Sequence, residues 1–198
     1  MADLWADTIL MAQNGRSEPE LLVAARQGNL DAFERLVTLH ERRIYGLALR
    51  IAGNREDAKD AMQEAFLRLH RRLGQIDSDA AIGPWLCAVV VNACRDIGRT
   101  RRRARLVAIE GGADSRPDPA AGPEQMAAAH ERERHLQEAL RRLPETERAA
   151  LLLREMEGLS TRDVAGVLGS SETTVRSQIS RARLRLRTLF AERFGGVR

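Results

Sequence analysis

The sequence predicts an all-α fold of two small helical domains joined by a flexible linker, the second containing a helix-turn-helix. Three observations carry that prediction. Aromatic residues are only 4% of the 198, β-branched alternating runs are scarce, and Ala, Leu, Arg and Glu dominate, which favours helix over sheet. Apolar residues recur three and four apart from residue 20 to about 103, and again from about 135 to 190. Between these stretches, GGADSRPDPAAGP at 111–123 carries three glycines and three prolines and has no apolar period.

Residues 1–19 form an N-terminal extension whose Leu4, Trp5, Ile9 and Leu10 have no assigned partner. The first helix places Leu21, Leu22 and Ala25 on one face and ends at Gly28-Asn29. A second starts after Asn29 or Asp31, with Phe33, Leu36, Val37, His40, Ile44, Leu47, Ala48 and Ile51 inward, and Gly53-Asn54 closes it. A third covers about 55–73. Its apolar stripe is Met62, Phe66, Leu69 and Leu73, and its neighbouring face is Asp57, Asp60, Gln63, Glu64 and Leu67. After the loop GQIDSDAAIG at 74–83, Pro84 suits a first helical position. The fourth helix then runs to about Arg103 with Trp85, Val89, Ala93 and Ile97 buried, and Asn92, Arg95, Asp96 and Arg99 together on another side. The phase of Trp85 with Val89 and Ala93 places it in the core. Residues 104–134 are the linker. Helix resumes near Glu124 or later, and by His135, after which Leu136, Leu140 and Leu143 pack. Pro144-Glu145 opens a further helix with Ala149, Leu152, Leu153 and Met156 inward, ended by Gly158. Residues 191–198 are a tail.

Composition narrows the classes of function. The formal charge is only +4, so the distribution of charge matters more than its sum, and Lys59 is the only lysine among the 32 Lys and Arg residues. Cys87 and Cys94, seven residues apart, sit roughly 10 Å apart along a helix, too far for a disulfide, and no nearby His or Cys completes a metal set, so they read as small buried hydrophobes. No apolar run approaches the roughly 18 residues a membrane span needs, and the N-terminus lacks the basic start of a secretory signal, which makes a cytoplasmic protein the expectation. His40, His70, His130 and His135 join no motif of cysteines or paired carboxylates, so an enzyme is the weakest class.

Residues 160–187, STRDVAGVLGSSETTVRSQISRARLRLR, carry the helix-turn-helix. Ser160 or Thr161 caps a short helix, 161–168, and its small Ala165 lets a crossing helix approach. Gly169 suits the left-handed turn. The next helix buries Val175, Ile179, Ala182, Leu186 and Leu189, spaced four, three, four and three. That leaves Thr173, Arg176, Ser177, Ser180, Arg181 and Leu184 on the opposite side. Residues near the start of such a helix reach base edges in the major groove, where Arg bonds guanine O6 and N7 and Ser is permissive. Arg183, Arg185 and Arg187 come later and suit phosphates. A membrane-surface helix would want bulky aromatics on its apolar side and no packed partner. A plain structural hairpin would not need the basic outer face.

Three stretches together resemble an extracytoplasmic-function (ECF) sigma factor of the bacterial RNA polymerase sigma family: residues 31–73, WLCAVVVNACRDIGRTRRR at 85–103, and 143–187. The resemblance implies that residues 20–103 are sigma region 2, binding core polymerase and the minus-10 element, and residues 135–190 sigma region 4, binding the minus-35 element. It implies docking of the 57–70 helix on the β′ clamp helices through Asp57, Asp60, Gln63 and Glu64, and a further contact with the β flap. The loop 74–83, with Asp77, Ser78 and Asp79, matches the segment that captures a flipped minus-10 base. Asn92, Arg95, Arg99, Arg101, Arg102 and Arg103 then become contacts to the opened strand, since basic side chains there would track its backbone. Arg176, Ser177, Ser180 and Arg181 match the minus-35 base-facing positions, with Arg183 beside them. The chain departs from the family pattern in two places. Ile76 and Asp77 stand where an aromatic and a basic residue are common, and Ile82 where Phe is common, so the minus-10 preference does not carry over. Ser170 replaces the usual hydrophobe after the turn glycine, which would loosen the turn.

The function expected is promoter-specific transcription initiation with core RNA polymerase and promoter DNA as partners, and an anti-sigma factor as regulator. No cofactor, metal, membrane insertion or small-molecule substrate is expected. The alternative is a stand-alone helix-turn-helix regulator, which would usually dimerise on a palindrome; no heptad dimerisation helix supports it. A helical adaptor binding only proteins would leave Arg101–Arg103 and the region 4 arginines unexplained.

Overall fold

A computed structural model of the chain describes residues 16–76, 82–107 and 124–194. Every regular element among them is helical. The first group is α1 (Glu18–Arg26), α2 (Leu30–Ala52), α3 (Arg55–Arg72) with a short 3-10 turn at Leu73–Gln75, and α4 (Ile82–Val107). The second is α5 (Glu124–Arg141), α6 (Glu145–Glu155), α7 (Thr161–Leu168) and α8 (Glu172–Phe194). Within the stretch expected as linker, α4 extends through 104–107, and α5 begins at Glu124, the earliest start expected for it.

Caps written into the sequence set the helix limits. The Ser17 N–H donates to Glu20 Oε2 at 2.6 Å, which seats the first turn of α1. Asn29 Oδ1 accepts from Ala32 N–H at 3.0 Å and Asn54 Oδ1 from Asp57 N–H at 2.9 Å, so two asparagines start α2 and α3. Gly53 between them has φ 79° and faces the Arg141 side chain, where an added Cβ would lie 2.9 Å from Nε. It is glycine for its conformation and for that close approach.

In the first group α2 supplies Leu36, Ile44, Leu47 and Ala48 to the core. The seam of α3 is Ala58, Ala61, Ala65 and Leu69, all fully buried. Of the expected stripe, Phe66, Leu69 and Leu73 are buried and Met62 lies at the edge, because the alanines let α3 approach α2 and α4 closely. The phase of α4 is corrected in part, Ala93 being buried as expected. Leu86, Cys87, Val90 and Val91 are fully buried, while Trp85, Val89 and Ile97 are half-buried against the core. This helix packs against α2 and α3 on one side and against α7 on another, so its buried arc is wider than one stripe. Pro84 stands in the third position of α4 rather than the first.

In the second group Ala149, Ala150, Leu152 and Leu153 of α6 meet Val164 and Ala165 of α7 and Val175, Ile179 and Ala182 of α8. Met156, expected inward, is 43% exposed. The helix stops at Glu155, Gly158 turns the chain at φ 68°, and Leu159 is buried instead. The two groups touch through α2 with α5 and α6 and through α4 with α7, and their apolar residues form one continuous cluster. Among the described residues no helix is long and apolar enough to cross a membrane, and no group of His, Cys, Asp or Glu is placed to hold a metal.

Candidate nucleic-acid interface

The helix-turn-helix is α7 and α8. Ser160 Oγ accepts from Asp163 N–H at 3.1 Å, while Asp163 Oδ2 accepts back from Ser160 N–H at 3.3 Å, a capping box that starts α7. Gly169 takes the left-handed conformation, φ 59° and ψ 44°, at its end. The Ser170 N–H donates to Ala165 O at 2.9 Å across that turn. The turn closes on backbone bonds, and the serine after the glycine does not open it. Ser171 Oγ accepts from Thr174 N–H at 3.2 Å and starts α8. Buried Ala165 and Ala182 bring α7 and α8 together.

With Val175, Ile179 and Ala182 inward, Arg176, Ser177, Ser180 and Arg181 are exposed on one side of α8. The arginines there are held in place by acidic neighbours. Arg176 Nη2 is 2.7 Å from Glu172 Oε2 one turn earlier. Arg181 Nε donates to Ser177 O at 3.3 Å and lies 3.8 Å from Glu147 Oε1, and Arg185 Nε lies 3.1 Å from Glu147 Oε2. Arg183 Nη2 is 2.5 Å from Glu155 Oε1. Glu147 is only 4% exposed, so Arg181 and Arg185 also neutralise a buried carboxylate of α6. The sequence reading missed Glu147. Its one local signal is its place in the first turn of a helix, where a carboxylate suits the macrodipole.

On α3, Asp60, Gln63 and Leu67 are exposed, and Glu64 is half-exposed with Arg68 Nε at 2.6 Å. Asp57 is different. It is 7% exposed, accepts from Asn54 Nδ2 at 2.8 Å, and lies 3.1 Å from Arg101 Nη1. It is part of a helix cap and does not share the exposed acidic face. Asp77, Ser78 and Asp79 lie outside the described residues. The start of α4 beyond them is held by α1. Glu18 Oε1 accepts from Ile82 N–H at 3.1 Å and lies 3.6 Å from His40 Nε2. His40, then the Ile82 amide and Arg43, hold the Glu18 carboxyl below its ordinary value against the opposing effect of burial.

The basic end of α4 divides. Arg101 turns back to Glu56 Oε2 at 3.0 Å and to Asp57, bracing α4 against α3. It is thereby separated from the other arginines expected on this face. Arg95, Arg99, Arg102 and Arg103 line a cleft of about 480 Å³ with Glu145 and Thr146 of α6. Arg95, 20% exposed, has Nε 3.4 Å from Glu145 Oε1, and Arg102 Nη2 pairs with Glu145 Oε2. Arg99 and Arg103 are exposed, and Asn92 is half-buried. Cys87 and Cys94 are buried within α4, and burial pushes both thiols up to about 12.

Two DNA-compatible basic faces, one on a helix-turn-helix and one on a long helix of a separate group, define a two-part nucleic-acid-binding protein. Residues 36–105 match the family model of sigma-70 region 2, and residues 133–186 that of sigma-70 region 4. The chain is 39% identical over 184 residues to the ECF RNA polymerase sigma factor SigM of Mycobacterium tuberculosis, covering 92% of this chain and 89% of that protein. Among solved structures, CnrH in complex with the cytosolic domain of CnrY matches with a TM-score of 0.62 at 27% identity, covering 88% of this chain and 97% of that one. The sigma factor RpoE of Bartonella quintana, solved with the anti-sigma factor NepR, shares the fold with a TM-score of 0.66 at 22% identity, covering 80% and 96%. The chain belongs to the ECF family of RNA polymerase sigma factors. Its function is that of the family: it associates with core RNA polymerase and directs promoter-specific initiation of transcription.

Proposed function

We propose that residues 20–103 act as region 2 and residues 135–190 as region 4 of this sigma factor. In region 2, Asp60, Gln63 and Glu64 around exposed Leu67 dock on the β′ clamp helices, and region 4 meets the β flap. Arg95, Arg99, Arg102 and Arg103, with Asn92 beside them, track the phosphates of the opened minus-10 strand. Capture of a flipped base and of that strand offsets an unpairing cost of a few kcal/mol, so binding energy alone drives melting. Neither a cofactor nor nucleotide hydrolysis by this chain is required, and it is not an enzyme.

In region 4, Arg176, Ser177, Ser180 and Arg181 read the minus-35 element, with Arg183 on a phosphate. One observation carries this assignment: the second helix of a closed helix-turn-helix turns these side chains outward together. Arg176 and Arg183 rest in exposed ion pairs worth about 0–1 kcal/mol each, which a guanine edge or a phosphate can replace, whereas Arg181 lies beside the buried Glu147. The protein works in the cytoplasm, at the nucleoid when active, and under an anti-sigma factor; the RpoE structure that shares its fold holds the anti-sigma factor NepR. The test is Arg176→Ala with Arg181→Ala. Promoter-specific run-off transcription is expected to be abolished while association with core polymerase persists; unchanged transcription from the native promoter would refute the assignment.

A further inference from the structure

Helix α1 lies ahead of residues 36–105, the stretch that matches region 2. Two of its side chains reach the two ends of the loop that links α3 to α4. At one end, Arg26 Nε donates to Leu73 O at 2.8 Å, on the turn that closes α3. At the other, Glu18 Oε1 accepts from the Ile82 N–H, the first amide of α4, at 3.1 Å. Glu18 and Arg26 are the first and last residues of α1. They stand about 12 Å apart along its axis, so one short helix spans the interval between the loop ends.

The charges suit their places. The end of a helix carries unpaired carbonyls and partial negative charge, and its start carries unpaired amides and partial positive charge. Arg26 offers a guanidinium to the first and Glu18 a carboxylate to the second. Side chains of α2 close on the same start of α4. His40 Nε2 lies 3.6 Å from Glu18 Oε1, and a Cβ added to the buried Gly83 would lie 2.9 Å from Arg43 Nη1. Leu21 and Leu22 of α1 share one apolar cluster with Leu73, Ile76 and Ile82. Packing therefore seats α1, and its two charged ends hold the ends of the loop.

We infer that α1 is a brace for this loop, with Glu18 and Arg26 as positioning residues for recognition of the minus-10 element. The inference rests on the assignment of the loop 74–83 to capture of a minus-10 base. Groups that recognise a ligand must be held to within about 0.5 Å by the bonds behind them. Glu18 and Arg26 supply such bonds at both loop ends without touching DNA themselves. Their loss should lower selectivity for the native base more than affinity for strands in general, because phosphate contacts from the α4 arginines carry no sequence information.

The test uses holoenzyme reconstituted from the full-length chain and core polymerase. Fluorescence anisotropy measures binding of a labelled single strand carrying the native minus-10 element, and of the same strand with each base replaced in turn. The ratio of the two affinities is the discrimination. Glu18→Ala and Arg26→Ala are each expected to lower it about tenfold, by weakening the native strand while the substituted strands bind as before. Glu18→Gln, whose amide oxygen still accepts from the Ile82 N–H, is expected to keep it. Wild-type discrimination in either alanine variant overturns the inference. So does an equal loss on native and substituted strands, or a loss of core association, since either marks a role in stability alone. Asp77, Ser78 and Asp79 replaced together by alanine are measured in parallel. If that variant discriminates as wild type does, the loop assignment fails and the inference falls with it. If it loses discrimination while the α1 variants retain theirs, the assignment stands and the inference alone fails.

Discussion

Two glycines of the helix-turn-helix, three residues apart, should respond to alanine in opposite directions. Gly169 sits at φ 59° in the left-handed region at the end of α7, and a Cβ added there meets nothing within 4 Å. The cost of Gly169→Ala is therefore backbone strain alone, about 1–2 kcal/mol, less about 0.4–1 kcal/mol from the stiffer unfolded chain. The net loss is about 1 kcal/mol. Gly166 lies inside α7, also with nothing within 4 Å of its Cβ position, and has no positive φ. There alanine should stabilise the helix by about 0.8–1 kcal/mol. The two variants should thus differ by about 2 kcal/mol, or about 4–8 °C in Tm for a chain of this size. Thermal unfolding followed by circular dichroism at 222 nm reads the difference. Gly169→Asn should fall between wild type and Gly169→Ala, since asparagine tolerates the left-handed region better. Shifts of the same sign for Gly166→Ala and Gly169→Ala would refute the reasoning, because the only difference invoked between the sites is backbone conformation.

Three further predictions address the faces of the first group. Asp60→Arg with Glu64→Arg should weaken association with core polymerase by at least tenfold, about 1.4 kcal/mol, in a pull-down titration; equal affinity would remove the acidic face of α3 from the contact. Cys87 and Cys94, with thiols at about 12 and little exposure, should resist alkylation at about pH 8 in the native chain and react in urea; stoichiometric labelling without denaturant would contradict their burial. Glu18 has a folded pKa below its ordinary 4.5, so it stabilises the fold above that value and loses the contribution as pH falls through the lower folded value. The stability gap between wild type and Glu18→Gln should therefore shrink on acidification from about pH 6 to about pH 3, and a gap constant over that range would show that the carboxylate does not act through its charge.

Much of the fold was legible because its signals are local. Asn29, Asn54 and Ser160 start helices by accepting from amides three residues ahead. Gly53, Gly158 and Gly169 end helices through a conformation other residues avoid. The limits of α7 and the outward set on α8 come from spacing within a single element. The phase of α4 was not legible in the same way. Its apolar residues nearly encircle it, and which of them are most buried depends on neighbours on two sides.

Composition, periodicity and caps therefore determine by themselves two helical groups, a helix-turn-helix and the side of α8 that faces outward. Only the tertiary structure decides how the charges are matched. Asp57 belongs to a cap and to Arg101, Arg185 answers a buried Glu147, and Glu145 holds Arg95 and Arg102 across the seam. The physical reason is range. A cap or a stripe is settled by residues within about four positions, whereas the partners of these charges lie 38 to 50 residues away in the chain, as Glu147 with Arg185 and Arg95 with Glu145 do.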